Sequence, residues 1–139
     1  MSGAAIEFTT GQSFTAKPYL LDAAAAEAYG LSVHEPPRRR RTNIHNDDAA
    51  AKKAGYRAPI AAGEQTVAVV AQLLTDTFGD RLMSGGRMQV ALLRPVFYGD
   101  TLVARAEVEG INAGTVELRI WVDNQSGEQV LSGLARIPA

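Results

Sequence analysis

The chain contains no cysteine. That absence removes disulfides, thiolate nucleophiles and Cys-ligated zinc together. It also removes any need for an oxidising compartment, which fits a cytoplasmic protein. An excess of one charge sign is missing too. Lys plus Arg is 14 and Asp plus Glu is 15, for a formal net charge of -1. A general nucleic-acid binder needs a basic excess to meet phosphates, so that class of partner is excluded. Long hydrophobic runs are absent. The longest in the most apolar region is Val67 to Ala71, far short of the roughly 20 residues that span a bilayer. No membrane partner is expected. Met1 to Gln12 carries Glu7 and lacks a cationic start before an apolar block, so no secretory leader is expected. Histidine is scarce, at 2 residues. With scattered carboxylates these make no metal ligand set, and no cofactor is called for. No internal repeat or long low-complexity tract is seen.

What remains is the composition of one folded domain, spanning residues 1–139. The chain is 46% hydrophobic and 21% charged, which excludes a disordered chain. Its length can bury one core but not two independent ones.

Local patterns divide that domain. Ser13 to Leu21 carries β-compatible residues, and Pro18 within it predicts an edge or bent strand. Asp22 precedes an alanine-rich run to Tyr29, with Gly30 as the stop, which predicts a short helix. From Leu31 to Asn46 the helical pattern fails at His34-Glu35-Pro36-Pro37, and Arg38 to Arg41 follow; this reads as a loop. Asp47 and Asp48 then cap a helix over Ala49 to Ala54. Lys52 and Lys53 in its last turn complement the dipole. A connector from Tyr56 to Ala62 leads to a helix over Gly63 to Phe78, polar at its start and apolar nearly all round beyond.

The second half alternates. Met88, Val90 and Leu92 take one face of a strand. So do Leu102 to Val108, then Val116 to Val122, then Val130 towards Ile137. Period two is the strand signal. Short turns at Pro95 to Asp100, Gly110 to Gly114 and Asp123 to Gly127 favour antiparallel neighbours. The expected architecture is α+β: five strands curling around one apolar helix. One curved sheet cannot cover that helix completely, so a dimer is expected.

Three features could carry chemistry. His45 stands in a loop just before a helix. Histidine titrates near neutral pH and serves as an acid or base; the plainer reading is a structural histidine. Gly63 stands at the first turn of the buried helix, where backbone N–H groups lack intrahelical partners and the dipole adds positive character. Such a turn can hold an oxyanion, or it is a simple tight entry to the helix. Glu64 beside it is either a solvent-facing first-turn acid or a pocket-facing proton carrier. Finally, Arg38 to Arg41 could grip an anionic tail such as the phosphates of coenzyme A. The ordinary reading of such a run is a solvated loop.

Together these residues resemble a family. Ile44-His45-x-Asp47, Ala49 to Gly55, Pro59-Ile60-Ala61-Ala62-Gly63 and Arg94-Pro95-Val96-Phe97-Tyr98-Gly99-Asp100-Thr101-Leu102 are similar to the MaoC-like hydratases and dehydratases. The resemblance implies the hot-dog fold, a sheet wrapped around a central helix, and usually a dimer. It implies water addition to, or removal from, an α,β-unsaturated or β-hydroxy carbonyl compound, commonly an acyl thioester. The family's histidine falls on His45 and its oxyanion glycine on Gly63.

The departures are as informative. The family motif reads roughly D-x-N-P-I-H. Here Arg40 holds the aspartate position, Thr42 the asparagine position and Asn43 the proline position. The family often has histidine before the glycine and methionine after it; here these are Ala62 and Glu64. Arginine stays protonated and cannot serve as the base. Glu64, or Glu35 from the longer loop, is then the candidate second group beside His45. Gly63, Ala62, Asn43, Arg40 and Glu35 are the candidate oxyanion and substrate-binding positions. Three activities compete: a hydro-lyase working as a homodimer on a small-molecule substrate such as a coenzyme A thioester; a non-catalytic subunit of a heteromeric hot-dog enzyme; and a hot-dog acyl-thioesterase.

Overall fold

The computed structural model describes residues 7–32 and 42–139. Six strands form one antiparallel sheet: β1 (Ser13–Thr15), β2 (Tyr19–Leu20), β3 (Arg87–Leu92), β4 (Thr101–Asn112), β5 (Thr115–Asp123) and β6 (Gln129–Pro138). Along the sheet the order is β1-β4-β5-β6-β3, with β2 also on β4. The strand expected over Ser13 to Leu21 is therefore broken in two. Pro18 has no N–H to give the ladder. β1 pairs Phe14 with Ala106, and β2 pairs Tyr19 with Leu102.

Three helices accompany the sheet: α1 (Ala23–Ser32), α2 (Asp48–Lys53) and α3 (Gly63–Phe78). α1 runs past Gly30, where a stop was expected. A glycine inside a helix costs only about 1 kcal/mol relative to alanine, and four consecutive alanines precede it. α2 starts one residue earlier than its spacing predicts. Asp47 caps it, its side chain accepting from the Ala50 N–H at 2.8 Å. Lys52 meets Asp48 at 2.7 Å across one helical turn. That hydrogen bond and charge hold the Lys52 ammonium above its ordinary range.

The alternation predicted the buried face in β4 and β5. In β3 and β6 it did not: Leu92 and Leu134, expected on that face, are exposed. β6 buries Val130, Leu131, Ala135 and Ile137 instead, beside a register shift in its pairing with β5. Leu102, Ala104, Ala106 and Val108 of β4 are buried, as are Val116, Leu118, Ile120 and Val122 of β5. They face Val70, Leu73, Leu74 and Phe78 of α3, which are buried in turn. The β4–β5 hairpin closes over Ala113 and Gly114, both at positive φ, as a tight two-residue turn requires. The sheet wraps one side of α3 only. Glu64, Ala68, Gln72, Thr75 and Asp76 form a stripe that stays exposed. Among the described residues, no helix is long and apolar enough to cross a membrane.

Candidate active site

The loop that carries His45 is tied by its own polar side chains. The Asn43 side-chain oxygen accepts from the His45 N–H at 2.8 Å. The Asn46 side-chain oxygen accepts from the Asn43 N–H at 2.8 Å. The Asn43 carbonyl takes the N–H groups of Asn46 and Asp47. Asn and Asp close such turns because a short side chain can bond to backbone nearby. Asp47 then caps α2, so the turn and the helix start are one continuous unit.

Three further hydrogen bonds anchor this loop, one of them at the imidazole. The Ile60 N–H donates to the Ile44 carbonyl at 3.0 Å. His45 Nδ1 lies 2.9 Å from the Ile60 carbonyl oxygen. A carbonyl can only accept, so Nδ1 carries the hydrogen in the neutral ring and Nε2 carries the lone pair. The Tyr98 hydroxyl donates to the His45 carbonyl at 2.7 Å. The ring is half-buried.

Ile60 links this loop to α3 and to the segment between β3 and β4. It forms an isolated antiparallel bridge with Phe97. The Ala61 N–H donates to the Val96 carbonyl at 2.8 Å. Three residues after Ile60, Gly63 opens α3 behind Ala62, and no side chain caps that end. Here the first-turn N–H of Gly63 faces outward from the helix start, as the geometry of helix termini dictates. A Cβ at Gly63 would collide with Cδ1 of Leu92 on β3. Leu92 is thus the neighbour that closes the glycine side of the turn.

Most of the residues singled out in the sequence now have a place. The His45 loop is tied to Ile60, two and three residues before Ala62 and Gly63, and Asn43 braces the turn beneath His45. Glu64 lies in the first turn of α3 and is exposed. Glu35 and Arg40 lie outside the described residues, as do Arg38, Arg39 and Arg41. Sequence reasoning missed Tyr98, the Ile60 carbonyl and Leu92. Tyr98 lay inside the Arg94 to Leu102 block, but only folding brings its hydroxyl to His45. Arg57 was missed as well. Its guanidinium lies 3.7 Å from the centre of the Phe97 ring, a cation held close to the Ile60 bridge.

The turn after β3 also explains why that block is built as it is. The Asp100 carboxylate accepts from the Phe97 N–H at 2.9 Å and from the Gln125 amide at 2.9 Å. Gly99 adopts positive φ. The turn so fixed presents Phe97 to Ile60 and Tyr98 to His45.

Known proteins share this arrangement of elements. Residues 9–129 match a family described as the MaoC like domain. The unliganded R-hydratase PhaJ1 from Pseudomonas aeruginosa superposes with a TM-score of 0.75 at 25% identity, over 96% of this chain and 83% of that one. The (R)-hydratase of A. caviae involved in PHA biosynthesis gives 0.69 at 24% identity, over 98% of both chains. A chain of the ChsH1-ChsH2 complex from Mycobacterium tuberculosis gives 0.76 at 15% identity, over 95% of this chain and 98% of that one. The latter two show the shared hot-dog fold. No curated protein matches in sequence.

Proposed function

The chain belongs to the MaoC-like domain family, and on that premise we propose that it is a hydro-lyase for an α,β-unsaturated or β-hydroxy carbonyl compound. An acyl thioester is the substrate class. The observation that carries the reading is the 2.9 Å contact of His45 Nδ1 with the Ile60 carbonyl. It leaves Nε2 as the proton-accepting nitrogen of the neutral ring, on a loop joined to the uncapped start of α3. The similarity to the R-hydratase from Pseudomonas aeruginosa supports the same reaction class.

In the hydration direction, Nε2 takes a proton from water while the water oxygen bonds to the β-carbon. The double-bond electrons move to the carbonyl oxygen. The Gly63 N–H donates to that oxygen and the helix start stabilises its charge. A proton then goes to the α-carbon from an acid. Glu64 or Glu35 supplies that group, because Arg40 in the motif position cannot. Removal of water runs the same steps backwards. Two copies of the chain work as a dimer: among the described residues β3 is an edge of the sheet, and Leu92 at its end and Leu93 just after it are exposed.

The test is hydration of a crotonyl thioester by the purified chain, followed in the His45→Ala and Glu64→Gln variants. Full activity in both variants removes the assignment. Release of free thiol instead of hydrated product identifies a thioesterase.

One sequence observation favours a second reading. Arg40 stands where the family motif has its aspartate, and similar folds occur in two-component complexes such as ChsH1-ChsH2. On that reading the chain is the non-catalytic subunit of a heteromer. It then has no activity alone and co-purifies with a second hot-dog chain.

A further inference from the structure

Leu92 belongs by register to the core-facing side of β3 and is nevertheless 55% exposed. Pairing sets its face. Met88, Val90 and Leu92 lie opposite Ala135, Gly133 and Leu131 of β6, and directly paired residues point to the same side of a sheet. Leu131 and Ala135 are buried, and Met88 and Val90 pack against the core. At Leu92 that face runs out of helix to cover it. The neighbour there is Gly63, the first residue of α3, which has no side chain to offer. An apolar side chain is therefore left open on the inner side of the sheet, beside the first turn of α3.

The direction of that contact matters. Cα–Cβ bonds tilt toward the N-terminal end of a helix, and first-turn N–H groups point out of the same end. Leu92 Cδ1 takes up the space into which a Gly63 Cβ would point. A carbonyl oxygen held by the Gly63 N–H, about 2.9 Å away, would lie beside that methyl. Two groups flank the carbonyl carbon of a thioester. On the sulfur side the next group is the unbranched methylene of the thiol. On the acyl side the α-carbon can carry a branch, so the bulk that Leu92 can discriminate varies there.

We propose that Leu92 is a specificity-determining residue: it walls the space beside the Gly63 N–H and favours acyl groups unbranched at the α-carbon over α-branched ones. The inference rests on the lyase reading for Gly63 as the carbonyl donor, and names the substrate class within it. It is compatible with a second copy at the β3 edge. Such pairing uses backbone groups in the plane of the sheet, while the Leu92 side chain stands out of that plane.

Butyryl-coenzyme A and isobutyryl-coenzyme A test it. They are isomers, and only the second is branched at the α-carbon. Both are saturated, so neither can be hydrated and binding is read without turnover. Calorimetric titration of the full chain is expected to show the butyryl isomer binding about tenfold tighter, the low end of what one misplaced methyl costs in a fitted pocket. Leu92→Met conserves the volume and keeps the preference. Leu92→Ala removes the wall and brings the isomers within about twofold of each other. The ratio is the readout, because a general disturbance of the fold weakens both isomers together. A ratio unchanged in Leu92→Ala overturns the proposal. So does equal binding of the two isomers to the unmodified chain, or binding of neither. Hydration of crotonyl-coenzyme A by the same preparations separates the two readings. Turnover without an isomer preference removes the role of Leu92 and leaves the lyase. A preference lost in Leu92→Ala, without turnover in the unmodified chain, leaves Leu92 as the wall of an acyl site and removes the lyase.

Discussion

The Tyr98 hydroxyl donates to the backbone carbonyl of His45 at 2.7 Å, across 53 positions of sequence. The turn after β3 thereby holds the loop before α2 at the mouth of α3. Tyr98→Phe keeps the ring and loses only the donor. The expected stability loss is about 1 kcal/mol, the net worth of one hydrogen bond, read by urea denaturation. If the bond positions the imidazole, kcat for crotonyl thioester hydration falls while KM stays within about twofold. A stability loss with unchanged kcat assigns Tyr98 to the fold alone.

His45 itself is tested without disturbing its neighbours. His45→Gln is expected to keep a polar side chain near the Ile60 carbonyl and to lose the titrating nitrogen. General acid–base catalysis contributes about 10²–10⁴-fold, so kcat is expected to fall within that range. Circular dichroism should match the unmodified chain. A variant that retains more than half of the rate excludes His45 from proton transfer.

Much of the fold was legible because burial writes itself into alternation. Leu102 to Val108 and Val116 to Val122 repeat with period two, since successive strand side chains point to opposite faces. The start of α3 was legible from Gly63 and the polar residues behind it. The site was legible only in part. His45 and Gly63 stand out by residue type, but the tie of the His45 loop to the segment leading into α3 runs through Ile60, a residue with no chemistry of its own. Its role is a carbonyl, and every residue has one. Tyr98 and Leu92 reach the site from β3 and the turn after it, and such proximity is set by topology rather than by spacing. The break in the first strand and the run of α1 through Gly30 show the same limit. There, local signals competed with pairing to β4 and with a favourable alanine run.

Leu92 gives the glycine at the helix start a direct test. A methyl at position 63 would meet Leu92 Cδ1, the far end of a half-exposed side chain that can turn away. Gly63→Ala is therefore expected to leave thermal stability nearly unchanged while lowering kcat/KM for hydration. If the fault is crowding by Leu92, the double variant Gly63→Ala with Leu92→Ala recovers activity. If the methyl blocks the ligand's approach to the Gly63 N–H, it does not. A loss of melting temperature as large as that of a core deletion would contradict the expectation.

Such a core deletion is available for scale. Leu74 has no exposed surface and packs between α3 and the sheet. Leu74→Ala is expected to cost about 2–5 kcal/mol, through lost transfer energy and the cavity left behind. Met83 is 85% exposed, so Met83→Ser is expected to stay within about 0.5 kcal/mol of the unmodified chain. Chemical denaturation with an unchanged slope measures both. Equal effects would mean that Met83 is covered in solution, by a second copy or by another part of the chain.

The proposed dimer makes the sharpest demand on one backbone hydrogen. The Leu93 N–H donates to the Val130 carbonyl, towards β6. Successive N–H groups along a strand point to opposite sides. Ala91 therefore also faces β6, while Val90 and Leu92 direct theirs to the open edge of the sheet. Val90→Pro removes an edge donor and spares the ladder with β6, the one strand setting that tolerates proline. A dimer built by joining two β3 edges loses that bond, and the pyrrolidine ring keeps the strands apart. Sedimentation equilibrium is expected to give two copies of the 14.8 kDa chain before the substitution and one copy after it. If Val90→Pro still sediments as a dimer, the two copies meet elsewhere. The exposed Leu92 and Leu93 then need another explanation, since an open apolar edge is otherwise a route to aggregation.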